Sequence, residues 1–322
     1  MRRFVSWLAL ILVAVVGLPL LGSHLLGWDQ DPASVPAPVG RVDLGSGRWL
    51  NVLDTGQGPP VVLVHGLPLS LQDWGDVPEK LAGMGHRVIV YDRVGYGSSS
   101  RDTAASGEYT YASNARDLLA LLDALGIESA ALAGWSYGGA VVQSFAVAHP
   151  ERVSHLALLG SVGPLLANQD PNALDRILAS GAGEEVLRWA GTVAPVGRAF
   201  MRENLKAAFT KESAIPAGFA ERTRAMLALP GTLTAFVAEA QRGEPALLHP
   251  EQIHIPALVL HGTDDLLVPL SVGEDLAKRL PASELLELPG GSHMLPVTHA
   301  DLVAGALHAL VTQHAEMPAA AR

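Results

Sequence analysis

The chain of 322 residues has no cysteine. Disulfides, cysteine–zinc sites and a thiol nucleophile are therefore excluded. The compartment stays open, because a large core needs no covalent staple. Basic charge is scarce as well. Twenty-two lysines and arginines face 32 acidic residues, for a net charge of −10. No basic patch stands ready to displace counterions, so a nucleic-acid partner is not expected. No internal repeat recurs at solenoid spacing. Hydrophobic residues, by contrast, make up 49% of the chain. That suffices for one large domain, or for a core with a smaller lobe.

The first 28 residues stand apart. Arg2 and Arg3 precede an uncharged, mainly apolar run from Phe4 to Leu26, with Asp29 and Asp31 beyond it. At about 1.5 Å per residue the run is long enough for a hydrocarbon layer of about 30 Å. The positive-inside rule puts the arginines in the cytoplasm and the remaining chain across the membrane. A signal peptide cleaved near Gly22 or Ser23 is the alternative, leaving a secreted or periplasmic protein. The expected organisation is an N-terminal membrane anchor or signal segment (1–28) and a proline-rich linker (29–40). A core of 41–163 and 251–322 follows, interrupted by a helical lid (164–250).

Within the core, apolar runs alternate with helical patterns. "RVDLG" and "RWLNVLDTG" read as a hairpin around Gly45–Gly47. "PPVVLV", "HRVIVY", "SAALAG", "VSHLALLGSV", "PALVLHG" and "SELLEL" read as strands of a mostly parallel sheet covered on both faces. Leu118, Leu121, Leu122 and Leu125 fall on one helix face, with Gly126 as the stop. Val303, Leu307 and Leu310 do the same near the end. Alternation of this kind predicts an α/β fold with right-handed crossovers. It breaks at 164–250, where Leu174, Ile177 and Leu178 have helical spacing. An all-helical insertion there would lie over the carboxyl edge of the sheet, where open α/β sheets bind ligands.

"GWSYGG" (134–139) follows an apolar strand and opens a helix. Its G-x-S-x-G spacing is that of a strand–turn–helix elbow, too sharp for side chains at its flanks. Gly134 and Gly138 remove those side chains, and Gly139 eases packing of the helix. Ser136 would hold a strained backbone conformation at the positive end of that helix. A serine hydroxyl needs a base to take its proton and a carboxylate to hold that base. His293, in the glycine-rich loop after the last strand, is the candidate base. The candidate acids, Asp264 and Asp265, are adjacent after the penultimate strand and cannot both point the same way. Backbone amides of Leu67, after "VLVHG", and of Tyr137 could converge on an oxyanion. Such a donor is worth about 3 kcal/mol to a tetrahedral intermediate. His65 and Asp92 are read as structural. His249, His254 and His261 span a loop and a strand, and no metal or other cofactor is expected.

In this order, "HGLP", "DRVGYGSS", "GWSYGG", "GTDDLLVP" and "GGSH" resemble the α/β-hydrolase fold superfamily, in its capped esterase, lipase and epoxide-hydrolase-like group. The resemblance covers roughly residues 40–315. It implies a catalytic triad of Ser136, Asp265 and His293, with Asp265 at the fourth position of G-x-x-D-x-x-V-P. It also implies that Asp92 and Arg93 belong to a loop bracing the site. "HGLP" is similar to the motif of epoxide hydrolases. Those use an aspartate nucleophile and lid tyrosines, however, whereas this chain has Ser136 and no tyrosine in 164–250. The expected activity is hydrolysis of a carboxylic ester or related acyl compound, partly apolar, through an acyl-enzyme. The alternatives are C–C bond hydrolysis, amide hydrolysis, cofactor-free haloperoxidation, and a ligand-binding member with little turnover.

Overall fold

The structure, a computed structural model, describes residues 37–101, 109–167, 194–241 and 248–313. The expected anchor or signal (1–28), most of the linker (29–40) and the helix candidate at Leu174, Ile177 and Leu178 lie outside the described residues.

Eight strands form one sheet: β1 (Arg41–Gly45), β2 (Arg48–Gly56), β3 (Pro60–Val64), β4 (Arg87–Tyr91), β5 (Ala130–Trp135), β6 (Val153–Leu159), β7 (Ala257–Gly262) and β8 (Ser283–Leu288). Their spatial order is β1-β2-β4-β3-β5-β6-β7-β8. The first two make the expected hairpin, its turn held by positive φ at Gly45, Ser46 and Gly47. β2 runs antiparallel to β4, and every pairing from β4 to β8 is parallel. The longer helices are α1 (Val77–Gly83), α2 (Tyr111–Ala124), α3 (Tyr137–Ala148), α4 (Ala194–Phe209), α5 (Phe219–Leu227), α6 (Thr232–Gln241), α7 (Leu270–Arg279) and α8 (Ala300–Gln313).

Continuous apolar strands make sense here because alternate side chains enter different cores. Val62, Val64, Leu132, Leu156, Leu158 and Val259 pack with α2, α3 and α7 on one face. Val61, Leu63, Ala131, Ala133, Leu159 and Leu260 pack with α1 and α8 on the other. Leu118, Leu121 and Leu122 are buried as the periodicity predicts, and Gly126 ends that helix at φ 65°. "SELLEL" departs from the expectation of a strand covered on both faces. As β8 it lies at the sheet edge, and Glu284, Leu286 and Glu287 are exposed.

Between β6 and β7 the described chain is helical, containing α4, α5 and α6. The last two of these helices meet loops at the carboxyl ends of core strands. Arg222 of α5 pairs with buried Asp73 at 2.6 Å, and Glu239 of α6 pairs with Arg93, two residues beyond β4.

The turn from β5 into α3 is the tightest passage in the fold. A Cβ on Gly138 would run into the carbonyls of Val64 and His65, and one on Gly134 into the backbone of Gly138 and Gly139. On Gly139 it would strike the Ser161 side chain. All three glycines let α3 start directly against the ends of β3, β5 and β6. Gly138→Ala should therefore lower unfolding free energy by about 2–3 kcal/mol, since backbone cannot yield as a flexible side chain can. Urea titration measures this, and a loss under about 0.5 kcal/mol would contradict the packing argument.

Candidate active site

Ser136 sits between β5 and α3 with φ 56° and ψ −120°, a conformation that a residue bearing a side chain adopts at the expense of about 1–3 kcal/mol. The surrounding backbone over-determines it. Its amide donates to Leu159 O at 3.0 Å and its carbonyl accepts from the Val162 and Gly139 amides. At 8% exposure the residue is nearly enclosed. Gly66, just past β3, lies so close that a Cβ there would stand 2.7 Å from Ser136 Cβ. Leu67 therefore follows directly on a residue in van der Waals contact with the serine. Tyr137 opens α3, the helix end where partial positive charge gathers.

His293 and Asp265 come together in the loops after β8 and β7. His293 Nδ1 lies 2.7 Å from Asp265 Oδ2, and both side chains are buried. The other carboxylate oxygen, Oδ1, accepts from the Leu267 and Val268 amides at 2.9 and 2.8 Å. That leaves Oδ2 aimed at the ring. Asp264 points elsewhere: it is exposed and accepts from Thr263 Oγ1. Trp135 Nε1 donates to His293 O at 2.9 Å, tying the base's backbone to the residue before Ser136. Gly160, with φ 47°, fills the corner between them. A Cβ there would stand 3.1 Å from Asp265 Oδ2 and 3.3 Å from His293 Nδ1. Among the described residues, neither Ser136 Oγ nor His293 Nε2 makes a hydrogen bond. The contact between carboxylate and imidazole is closed, and no hydrogen bond joins Ser136 to His293 among the described residues.

Such an arrangement can take a proton from a hydroxyl, hold the resulting imidazolium beside a carboxylate, and offer amides to a developing oxyanion.

Around this centre lies a braced shell. Asp92 accepts from the Leu71 amide, Asn51 Nδ2 and the Ser98 amide at 2.7, 2.8 and 2.8 Å, which occupies it fully with loop geometry. His65 Nδ1 donates to Gly66 O at 2.8 Å and Nε2 accepts from the Arg93 amide at 2.9 Å. Burial, then the nearby Arg93 charge, push its pKa well below the ordinary histidine range. Two buried groups here went unforeseen. Glu239 carries a charge that helical patterning alone places on a solvated face. The other is His261, at the end of β7. Its Nε2 lies 2.9 Å from Val268 O and 3.7 Å from Asp265 Oδ2. Its Nδ1 is buried without a hydrogen-bond partner among the described residues. Burial lowers its pKa below the ordinary histidine value, against the opposing pull of the Val268 carbonyl and Asp265.

Comparison with known proteins identifies the family and the fold. The family described as alpha/beta hydrolase fold matches residues 59–300. A 2-hydroxy-6-oxo-2,4-heptadienoate hydrolase of Pseudomonas putida is 32% identical over 260 residues, covering 78% of this chain and 88% of its own. A non-heme chloroperoxidase of Streptomyces lividans is 28% identical over 276 residues, with 82% and 96% covered. The crystal structure of a bromoperoxidase from Bacillus anthracis superposes with a TM-score of 0.71 at 27% identity, covering 84% of this chain and 99% of that one.

The two buried histidines with lowered pKa set a pH dependence. His65 and His261 have folded-state pKa values below the unfolded reference of about 6.5, so the unfolded chain binds protons that the folded chain refuses. Their stabilisation is complete above about pH 6.5 and is lost as pH falls. Each contributes a slope of up to about 1.4 kcal/mol per pH unit. Urea melts at about pH 7, 6 and 5 should show the decline, and His261→Gln should flatten it. An identical slope in the variant would contradict a lowered pKa at this buried ring.

Proposed function

The chain belongs to the alpha/beta hydrolase fold family, and we propose that within it the chain is a serine hydrolase of carboxylic esters or related acyl compounds. The observation that carries this reading is the buried Asp265–His293 contact of 2.7 Å, next to a serine held in a strained elbow. In this mechanism His293 Nε2 accepts the Ser136 proton as Oγ attacks the carbonyl carbon. The Leu67 and Tyr137 amides stabilise the oxyanion. His293 then gives the proton to the leaving alcohol, and Asp265 stabilises the imidazolium. Water, deprotonated by the same ring, releases the acid and restores the serine.

In the same proposal the helices between β6 and β7 act as a lid over the site. The Arg222–Asp73 and Glu239–Arg93 pairs, which bind α5 and α6 to loops at the carboxyl edge of the sheet, support that role. Leu165, Leu266 and Leu267 are exposed beyond β6 and β7, and such a border suits a partly apolar small-molecule substrate. The uncharged, mainly apolar run from Phe4 to Leu26, with Arg2 and Arg3 before it, supports tethering to a membrane with the core on its extracytoplasmic side.

Cleavage of a C–C bond is the second reading, favoured by the 32% identical relative named for a 2-hydroxy-6-oxo-dienoate. Turnover of p-nitrophenyl esters of graded chain length, set against 2-hydroxy-6-oxo-2,4-heptadienoate, separates the two. Ester hydrolysis with a kcat/KM at least about tenfold higher than for the dienoate supports the first reading, and the reverse order replaces it. Ser136→Ala should lower kcat by at least about 10³-fold with an unchanged urea midpoint. Near-wild-type turnover would remove Ser136 from the chemistry.

A further inference from the structure

The buried ion pair between Arg93 and Glu239 joins two parts of the chain that are 146 residues apart. Both side chains are fully buried. A charge pair withdrawn this far from water contributes little net stability, yet breaking one side of it is costly. Its placement shows what else it reaches. Arg93 Nε donates to His65 O at 3.1 Å, and Nη2 donates to Gly66 O at 3.3 Å. Gly66 O also accepts from His65 Nδ1 and from the Leu69 amide. That carbonyl and the Leu67 N–H belong to one planar trans peptide and point in opposite directions. Three donors on the carbonyl therefore fix the direction of the Leu67 amide and polarise it. The guanidinium also lies 4.7 Å from the Tyr137 ring, so it reaches both the peptide that carries the Leu67 amide and the side chain of Tyr137.

Glu239 completes this arrangement from α6. Its Oε1 accepts from Arg93 Nη1 and from Asn114 Nδ2 at 3.1 Å, and its Oε2 from Tyr96 Oη at 2.7 Å and Arg93 Nη2 at 3.2 Å. Four donors thus saturate the carboxylate. Without it, Arg93 would be an uncompensated cation in a closed site, bound only to carbonyls, tyrosine rings and Asn114. Its free energy would then favour turning toward water and releasing the 65–66 carbonyls.

Building on the serine-hydrolase reading, we propose that Glu239 is a positioning residue for the oxyanion hole, acting through Arg93 on the peptide between Gly66 and Leu67. The helical insertion then contributes to the chemical step as well as covering the site, because one of its side chains holds an oxyanion donor from behind. Arg222 supplies the natural comparison. It too joins the insertion to the core, through Asp73, but touches none of the oxyanion peptides.

The test measures kcat and KM on a p-nitrophenyl ester, together with inhibition by an alkyl boronic acid, which forms a tetrahedral adduct on serine. Glu239→Gln should lower kcat about 10- to 100-fold, less than the roughly 10²–10³-fold lost when an oxyanion donor is removed outright, because the donor is misaligned and not deleted. Its KM should stay within about threefold, and boronic-acid affinity should fall in parallel with kcat. Arg222→Gln should keep kcat within about twofold. Tyr96→Phe removes only the hydroxyl bond to Glu239 and should lower kcat about threefold; it carries the test if Glu239→Gln does not fold. A wild-type kcat in folded Glu239→Gln, or in Tyr96→Phe where that is the variant available, overturns the proposal. So does an equal loss of kcat in Arg222→Gln. If the wild-type protein hydrolyses no ester and binds no boronic acid, the serine-hydrolase reading fails first and takes this proposal with it.

Discussion

The site depends on one close approach of backbone to backbone, where the first turn of α3 meets the ends of β3, β5 and β6. Side chains at 134, 138 or 139 would hold these elements apart. With glycine at each, Ser136 is driven to φ 56° and its amide and carbonyl are both tied to β6 and the residues after it. The serine cannot relax without unpairing buried backbone groups, each worth about 1–3 kcal/mol if left unsatisfied. Strain at Ser136 is thus maintained by ordinary sheet and helix hydrogen bonding around it.

The rest of the chemistry is arranged relative to that fixed point. β7 and β8 end beside it, and their loops carry Asp265 and His293 into contact with each other while the Trp135 indole anchors His293 from below. On the opposite side, Gly66 packs on the serine, and the buried Arg93 holds the carbonyls that precede Leu67. Burial opposes the Arg93 charge, but the Glu239 carboxylate together with Tyr96 and Tyr137 outweighs it and raises the guanidinium pKa above its ordinary value. Burial and the same carboxylate push the Tyr96 phenol well above its own. Both shifts favour a charged guanidinium beside a neutral phenol.

Much of this was legible in the chain because it is written locally. Gly45–Gly47, Gly126 and the 134–139 elbow encode backbone conformations that few other residues tolerate. Period-3.6 leucines at 118, 121 and 122 and the continuous apolar strands record burial directly. The choice of Asp265 over Asp264 came from motif spacing, and the geometry gives its cause: the Leu267 and Val268 amides take one oxygen and turn the other to His293. What local pattern does not carry is pairing across the fold. Arg222 and Glu239 read as ordinary charges in an insertion of mixed sign, because their partners Asp73 and Arg93 are more than a hundred residues away. His261 was equally hidden, as a polar interruption of an apolar strand whose neighbour Asp265 appears only after the chain turns. β8 read as a covered strand because its leucines are as apolar as those of the central strands, and edge position is a property of the sheet order alone.

The central claim is that one serine, activated by one histidine, is the reacting group. Covalent capture tests this most directly: the intact protein is treated with a fluorophosphonate and the modified peptide is mapped by mass spectrometry. The account predicts a single adduct on Ser136, formed at least about a hundredfold more slowly in His293→Ala. A label on any other residue, or an unchanged rate without the His293 imidazole, would contradict it.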